Sequence, residues 1–445
     1  MQLWATSPRG AGDSFRRNVE FAHVIALQEK ETPENRRRWV RCGAGLIEVR
    51  YEVGVQTSRF GSALAVGFFR RGESGQAASF VRESTAPSSW SVSPPQLGTT
   101  RYFFMSIVSR PANLQTDEQL IIDFLQQNHT ANSNQKRFAW LYRSGPAGEA
   151  RVWIANDSET GAIIGVAAAF PRRMYVEGKE ELAWVLGDFC IANRHRSLGP
   201  AVQLQRACLA GLDSGCGAIY YDFPSEAMTA VYQRLGVLHD SRMVRLAKLL
   251  RTDNKLRSII RHQKLARIFA FVGNAGLALR NGGFRLPEGL TLSLQESPCG
   301  SEFTRLSEKI GSTVGICLQR SAEYLNWRYR QHPFRAHEIF ALHRGDSLVG
   351  YAVVSQEDHH LNLVDLFGEE EAIPTLVRSA VSIAQQQKLE TVTVGILAWH
   401  PWATILRNQG FHDREKYPVV ICKHGQEDPR DKSNCWFLMN GDRES

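Results

Sequence analysis

Two stretches of this chain repeat one another. "FAWLYRSGP" (138–146) and "LNWRYRQHP" (325–333) share Trp140/Trp327, Tyr142/Tyr329, Arg143/Arg330 and Pro146/Pro333 at a single offset. Each leads into a strand, a turn and a second strand, "TGAIIGVAAA" in one case and "GDSLVGYAVV" in the other. Further on, "AVYQRLGV" and "TILRNQGF" occupy matching places. A short identity inside the same order of elements predicts a duplicated unit. At 445 residues the chain has material for two or three cores.

Composition sets the outer bounds. Hydrophobic content of 43% and aromatic content of 10% are globular values. The longest apolar run, "AIIGVAAAF" (162–170), is far below the roughly 18 residues of a membrane span and reads as a buried strand. The N-terminus lacks a basic start followed by an apolar block, so no secretory signal is expected. Eight scattered cysteines without a C-x-x-C pair fit buried thiols in a reducing cytoplasm better than disulfides or zinc. A cytoplasmic protein without a metal is expected. The net charge of +8 is uneven: 241–285 holds eleven basic residues and one acid, Asp253. A local excess is not the broad basic surface of a nucleic-acid binder, and no nucleic acid is expected as a partner.

Residues 1–104 differ from the rest. Thirteen of their fourteen basic residues are Arg, and Ser, Gly and Pro are frequent. Periodicity is poor, apart from a short strand at 44–53. Either this is a weakly ordered extension, or Met105 is the natural start. "MSIVSRPANLQTDEQLIIDFL" opens as domains do, with a strand, a Thr116 cap and an amphipathic helix. Strands and helices then alternate: a long strand at 181–192, a helix at about 199–213, the strand "GAIYYDF" and a helix ended by Gly236. The segment 241–285 carries an apolar stripe at helical spacing with Lys and Arg opposite. It reads as a basic amphipathic linker, packed between domains or touching anionic lipid from the cytoplasmic side. The expected divisions are 1–104, 105–245, 246–287 and 288–445.

One junction carries chemistry. In "GDFCIANRHRSLGPAVQLQRACL" (187–209) a strand stops, basic residues follow, and a helix opens at a Gly-Pro-Ala corner. The first amides of a helix have no partner inside it and point outward, and the helix dipole adds positive charge. Arg196, Gly199 and Ala201 spell R-x-x-G-x-A, in which small residues let backbone approach a phosphate. The plainer reading is a strand–turn–helix joint with small residues for packing.

With a strand before it and a Tyr-bearing helix after it, this motif resembles the hallmark of the GNAT superfamily of acyl-CoA N-acyltransferases. In that family Q/R-x-x-G-x-G/A holds the coenzyme A pyrophosphate. The resemblance covers about 105–245, and 288–424 as a degenerate second copy. It implies an α/β (α+β) fold, a tandem GNAT-like arrangement with a central mixed sheet flanked by helices in two copies. It also implies acetyl-CoA as co-substrate. Arg194, Arg196, Ser197, Leu198, Gly199, Ala201 and Val202 would then hold the pyrophosphate, and Cys190, Ile191 and Ala192 the pantetheine arm. Ser225 stands where the family has Asn, and Val237 where it has Phe. In the second copy "LVDLFGEEEAIPTLVRSAV" lacks the motif, and Glu369, Glu370 and Glu371 would repel a pyrophosphate. One coenzyme site is expected, in the first copy.

Tyr232 sits where the family places the phenol that protonates the leaving thiolate; the alternative is a packing tyrosine. Alternation along 182–192 puts Leu182, Trp184, Leu186, Asp188 and Cys190 on one face. An acid among apolar residues needs a reason, so Asp188 is a candidate base or a structural carboxylate bonded to Arg194 or a loop amide. Glu180, Glu181 and His195 are weaker candidates. Trp140, Tyr142 and Arg143 either line the acceptor side or pack.

The expected function is transfer of an acetyl group to an amine or hydroxyl of a small molecule or sugar, in the manner of enzymes of cell-surface polysaccharide formation. The alternatives are a FemAB-like aminoacyl transferase and a non-catalytic acyl-CoA-binding or scaffold protein.

Overall fold

In a computed structural model the protein is described over residues 107–213, 218–237, 240–253, 262–313, 315–423 and 436–444, with the backbone of four strands before them. Those four are β1 (Gln2–Ala5), β2 (Arg37–Cys42), β3 (Gly45–Glu52) and β4 (Gly67–Phe68). They form a sheet of order β2-β3-β1-β4 within a unit spanning 1–101. The strand expected at 44–53 is β3. The weak order expected for the remainder of 1–104 lies outside the described residues.

The second unit begins at Tyr102. Its first half runs β5 (Ile107–Pro111), α1 (Glu118–Asn128), α2 (Gln135–Phe138), β6 (Arg151–Asp157), β7 (Ile163–Val176), β8 (Lys179–Ile191), α3 (Leu198–Leu212), β9 (Ile219–Asp222), α4 (Glu226–Leu235) and β10 (Arg242–Leu249). After α5 (Gln263–Asn281) the order recurs. The second half has β11 (Leu290–Leu294), α6 (Ser301–Gly311), β12 (Ile316–Leu318), α7 (Ala322–Leu325), β13 (Glu338–Arg344), β14 (Ser347–Glu357), β15 (His360–Gly368), α8 (Ile373–Gln386), β16 (Thr391–Leu397), α9 (Pro401–Asn408) and β17 (His412–Pro418). Two short strands close it, β18 (Val420–Cys422) and β19 (Trp436–Phe437). In each half an antiparallel meander hands over to a parallel strand, β8 to β9 and β15 to β16.

The repeated Trp-x-Tyr-Arg falls in matching single π-turns, Ala139–Arg143 and Asn326–Arg330. Trp140 and Trp327 stack with ring centroids 5.0 Å apart. Each indole N–H donates to the other's carbonyl at 3.0 Å. Trp140, Tyr142, Trp327 and Tyr329 are all buried, so the repeat packs the middle of the unit.

The halves also trade strands. β10 leaves the first half and lies between β16 and β17 of the second sheet. β18 leaves the second half and pairs with β9 of the first. Arg242–Leu249 is thus a strand and not the start of the basic helix expected for 241–285. Met243, Val244 and Leu246 are fully buried. A short apolar run fits either period, and the free edges of two strands decide it. In α5 Phe269, Phe271 and Val272 are exposed. Helix α1 starts at Glu118 after Asp117, not at a Thr116 cap, because Asp117 pairs with Arg110 at 2.7 Å. Among the described cysteines five are free, four of them buried.

Candidate functional site

The turn singled out from sequence is open. Strand β8 ends at Ile191, one 3-10 turn spans Asn193–His195, and Ser197 precedes α3 with a side chain that caps nothing. Arg194, Arg196, Ser197, Leu198 and Gly199 are brought together there, and all are exposed. Among the described residues no carbonyl or side chain takes the amide hydrogens of Leu198 and Gly199. A Cβ at Gly199 would meet nothing within 4 Å. The helix is held down by its other face: Ala201, Val202, Leu204 and Cys208 are buried against the first sheet. Gly165 permits this approach, since a Cβ there would come within 2.9 Å of the Leu204 side chain. Ala201 and Val202 therefore anchor the turn with their side chains, and the Ala201 amide reaches the Ser197 carbonyl at 3.4 Å.

Beside the turn the sheet splits. β8 and β9 pair only over Ala183–Val185 with Ile219–Tyr221. Beyond that, Gly187–Ile191 stays bonded to β7, and its other edge faces a gap. By the alternation of the strand, the Ile191 amide lies on the gap side and the Cys190 amide on the β7 side. The Ala192 amide does not border the gap, because it donates to the Ile164 carbonyl at 2.8 Å. Cys190 is buried and its thiol donates to the Asn128 carbonyl at 3.1 Å, and burial pushes its pKa up.

A bulge in β8 overturns the face assigned to Asp188. The register with β7 shifts between Val166 and Ala168, and Asp188 has φ 45°. One extra residue flips every side chain after it. Trp184 and Leu186 face α3, whereas Asp188 and Cys190 face the opposite core. There the Asp188 carboxylate takes two hydrogen bonds from Arg137, at 2.5 and 2.8 Å, and one from the Tyr142 hydroxyl at 2.5 Å. His129 Nε2 stands 3.6 Å away. Burial works to raise the Asp188 pKa, but the Arg137 charge and these donors outweigh it and hold the carboxyl well below its usual range. So restrained a carboxylate is a poor proton acceptor. Asp188 is a structural carboxylate, with Arg137 as the partner in place of Arg194.

Tyr232 is fully buried between α3, α4 and β9. Its hydroxyl donates to Asp222 Oδ2 at 2.6 Å and accepts from Gln205 Nε2 at 3.1 Å. The phenol proton is thus committed to a carboxylate, not free for a thiolate. Asp222 follows the last β8–β9 pair, at the mouth of the gap. Burial pushes its pKa up to about 7 against the pull of the Tyr232 bond. Ser225 caps α4, its hydroxyl accepting from the Met228 amide at 3.3 Å. Asp222 is not among the residues expected from sequence, although "YYDF" carries a signal like that of Asp188, an acid among apolar strand residues.

The segment 436–444 fills the second gap and reaches Gly187 of β8 with its last residue. In the second half β15 and β16 part beyond Leu363 and Val394. There Met439 bridges Ile396, the Asn440 side chain packs on Gly395, and Gly441 lies against Tyr329 and the Val364 carbonyl. Asp442 is bound by Arg320, which also holds Asp365, and all three are buried. The second gap is filled. Next in the chain, Arg443 stacks on the Phe223 ring at 5.0 Å, and the Glu444 side chain packs on Gly187. A Cβ on Gly187 would meet Glu444 Cγ at 2.5 Å. No sequence signal marks Glu444.

No family model matches the chain, and no curated relative matches it in sequence. Solved structures do resemble it. A GCN5-related N-acetyltransferase from Anabaena variabilis superposes with TM-score 0.51 and 13% identity, over 71% of this chain and 72% of that one. A probable N-acyltransferase from Enterococcus faecalis gives 0.49 and 10%, over the same shares. The Saccharomyces cerevisiae N-myristoyltransferase with bound myristoyl-CoA gives 0.46 and 12%, over 71% and 82%. The fold of this chain is that of the GCN5-related N-acetyltransferases.

Proposed function

We propose that the protein is an acyltransferase that takes an acyl group from an acyl-coenzyme A in its first half, with an acetyl group the expected cargo. The observation that carries this reading is the open start of α3, with free amides at Leu198 and Gly199 and no neighbour near the Gly199 Cα, beside a parted β8–β9 edge. A diphosphate suits such a place, since amides, dipole and Arg194 and Arg196 all favour negative charge. The filled second gap leaves one coenzyme site per chain. The acceptor is an amine or hydroxyl of a small molecule or sugar.

Asp222 is the best-matched base. A carboxyl that titrates near neutrality takes a proton from the attacking nitrogen or oxygen at working pH. Tyr232 and Gln205 orient it. The C–S bond breaks as the new bond to the acyl carbon forms, and a thiol with pKa of roughly 8.5 leaves readily.

Titration of the full chain with acetyl-CoA, calorimetrically, tests the binding claim; absence of heat would end it. Asp222→Asn is expected to lower the acyl-transfer rate about 10²–10⁴-fold with coenzyme A affinity unchanged. In the wild type kcat/KM should rise with pH and level off above about 7, as Asp222 ionises.

A further inference from the structure

One polar recess of the second half is bordered by Glu444. It encloses about 830 Å³, within the range of single-ligand sites. Its floor is one face of the second sheet, where Ser355, Asn362 and Thr393 lie side by side in register. The opposite face of the same strands is Leu361, Leu363, Val392 and Val394, all buried beneath α8. One face therefore follows the rule for a packed sheet, and the other departs from it toward hydroxyls and amides.

Arginines outnumber acids in the lining, with Arg245, Arg328, Arg335, Arg414 and Arg443 against Glu357, Glu390 and Glu444. Arg328 is only 4% exposed, yet its bonds go to the Gly441 and Glu444 carbonyls and none to a carboxylate. Arg172, beside Arg328 and Glu444, is 2% exposed. It donates to the Pro171 carbonyl and stacks on Trp327, and its Nε and Nη2 have no partner. Glu444 bears on Arg172, but the buried Arg328 guanidinium is bonded only to carbonyls, a costly state that a ligand anion would relieve. At the rim Arg335 and Arg414 are exposed. His332 adds a donor: its Nδ1 accepts from the Phe334 and Arg335 amides, which leaves the hydrogen of the neutral ring on Nε2.

We propose that this recess is the acceptor pocket, and that the acceptor is a hydroxyl-bearing amine carrying an anionic group such as a phosphate. The polar floor bonds the hydroxyls, and Arg328 and the rim arginines neutralise the anion. Glu444 lines the recess and packs on Gly187, so the amine end meets the first gap beside Asp222. The inference rests on the acyltransferase reading, and supplies a use for the half that holds no coenzyme.

The test is calorimetric titration of the full-length protein with two probes, glucosamine 6-phosphate and glucosamine. The phosphorylated probe should bind at least about tenfold more tightly, the size expected of one charge-assisted bond. Arg328→Met should abolish that preference with coenzyme A affinity retained, because Arg328 lines the recess and bonds no carboxylate. Arg335→Ala, at the surface, keeps the test alive if Arg328→Met fails to fold, and should weaken the preference severalfold. Equal affinity for the two probes, or a preference that survives both substitutions, overturns the proposal. Coenzyme A titration of the same samples reports separately on the acyltransferase reading, since that site lies in the other half.

Discussion

Gly199 separates packing from ligand binding. The folded chain has room for a side chain there, so no internal contact demands glycine. Within a helix Ala is favoured over Gly by about 0.5–1 kcal/mol. Gly199→Ala should therefore hold or raise the unfolding midpoint and weaken coenzyme A at least about tenfold; unchanged affinity by calorimetry would refute the cradle. Asp188 is the opposite case. Breaking a buried pair by removing one partner costs about 3–5 kcal/mol, so Arg137→Ala should lose that much in denaturant unfolding. The folded pKa of Asp188 is depressed. The stability it contributes is thus fully present above the unfolded carboxyl pKa of about 4 and is lost as pH falls below it. Asp222 has the reverse sign, its folded pKa being raised to about 7. Its ionisation costs stability as pH rises from about 4 to 7, so Asp222→Asn should melt higher than wild type at pH 8 and no higher at pH 4. Asp188 lies within an apolar strand and Asp222 ends one, and composition cannot tell their roles apart. Arg137 and Tyr142 are more than 40 residues from Asp188 in sequence, and only folding supplies them.

At the scale of elements the readable parts were those set by local chemistry. The start of α3, the left-handed Gly236 at φ 74°, and the long strands β7 and β8 follow from caps, glycine and apolar period. What failed was face and period over short runs: the β8 bulge moved Asp188 across the sheet, and 242–249 became a strand. The segment 436–444 carried no signal because its partners, Arg320, Gly187 and Gly395, belong to other elements. Asp442→Ala removes one of the two carboxylates around the buried Arg320 guanidinium. It is expected to cost about 3–5 kcal/mol in chemical denaturation and to release 438–444 from between β15 and β16, seen as faster hydrogen exchange there.

Across the whole second unit, the exchange of β10 and β18 and the paired indoles of Trp140 and Trp327 tie the halves together. Each half lends the other a strand, so neither has a complete sheet alone. Calorimetry of the 102–445 region should give one cooperative transition, and 107–237 or 286–445 expressed alone should not fold; two separable transitions would contradict the exchange. The amino-acid sequence alone determined the repeated Trp-x-Tyr-Arg segments, most strands and helices up to α4, and the open start of α3, because these depend on residues within a few positions of each other. Tertiary structure alone decided which carboxylate titrates near neutrality, which gap is filled, and where the buried arginines converge. Burial and charge pairing are set by groups distant along the chain, and they exist only once the two sheets are assembled.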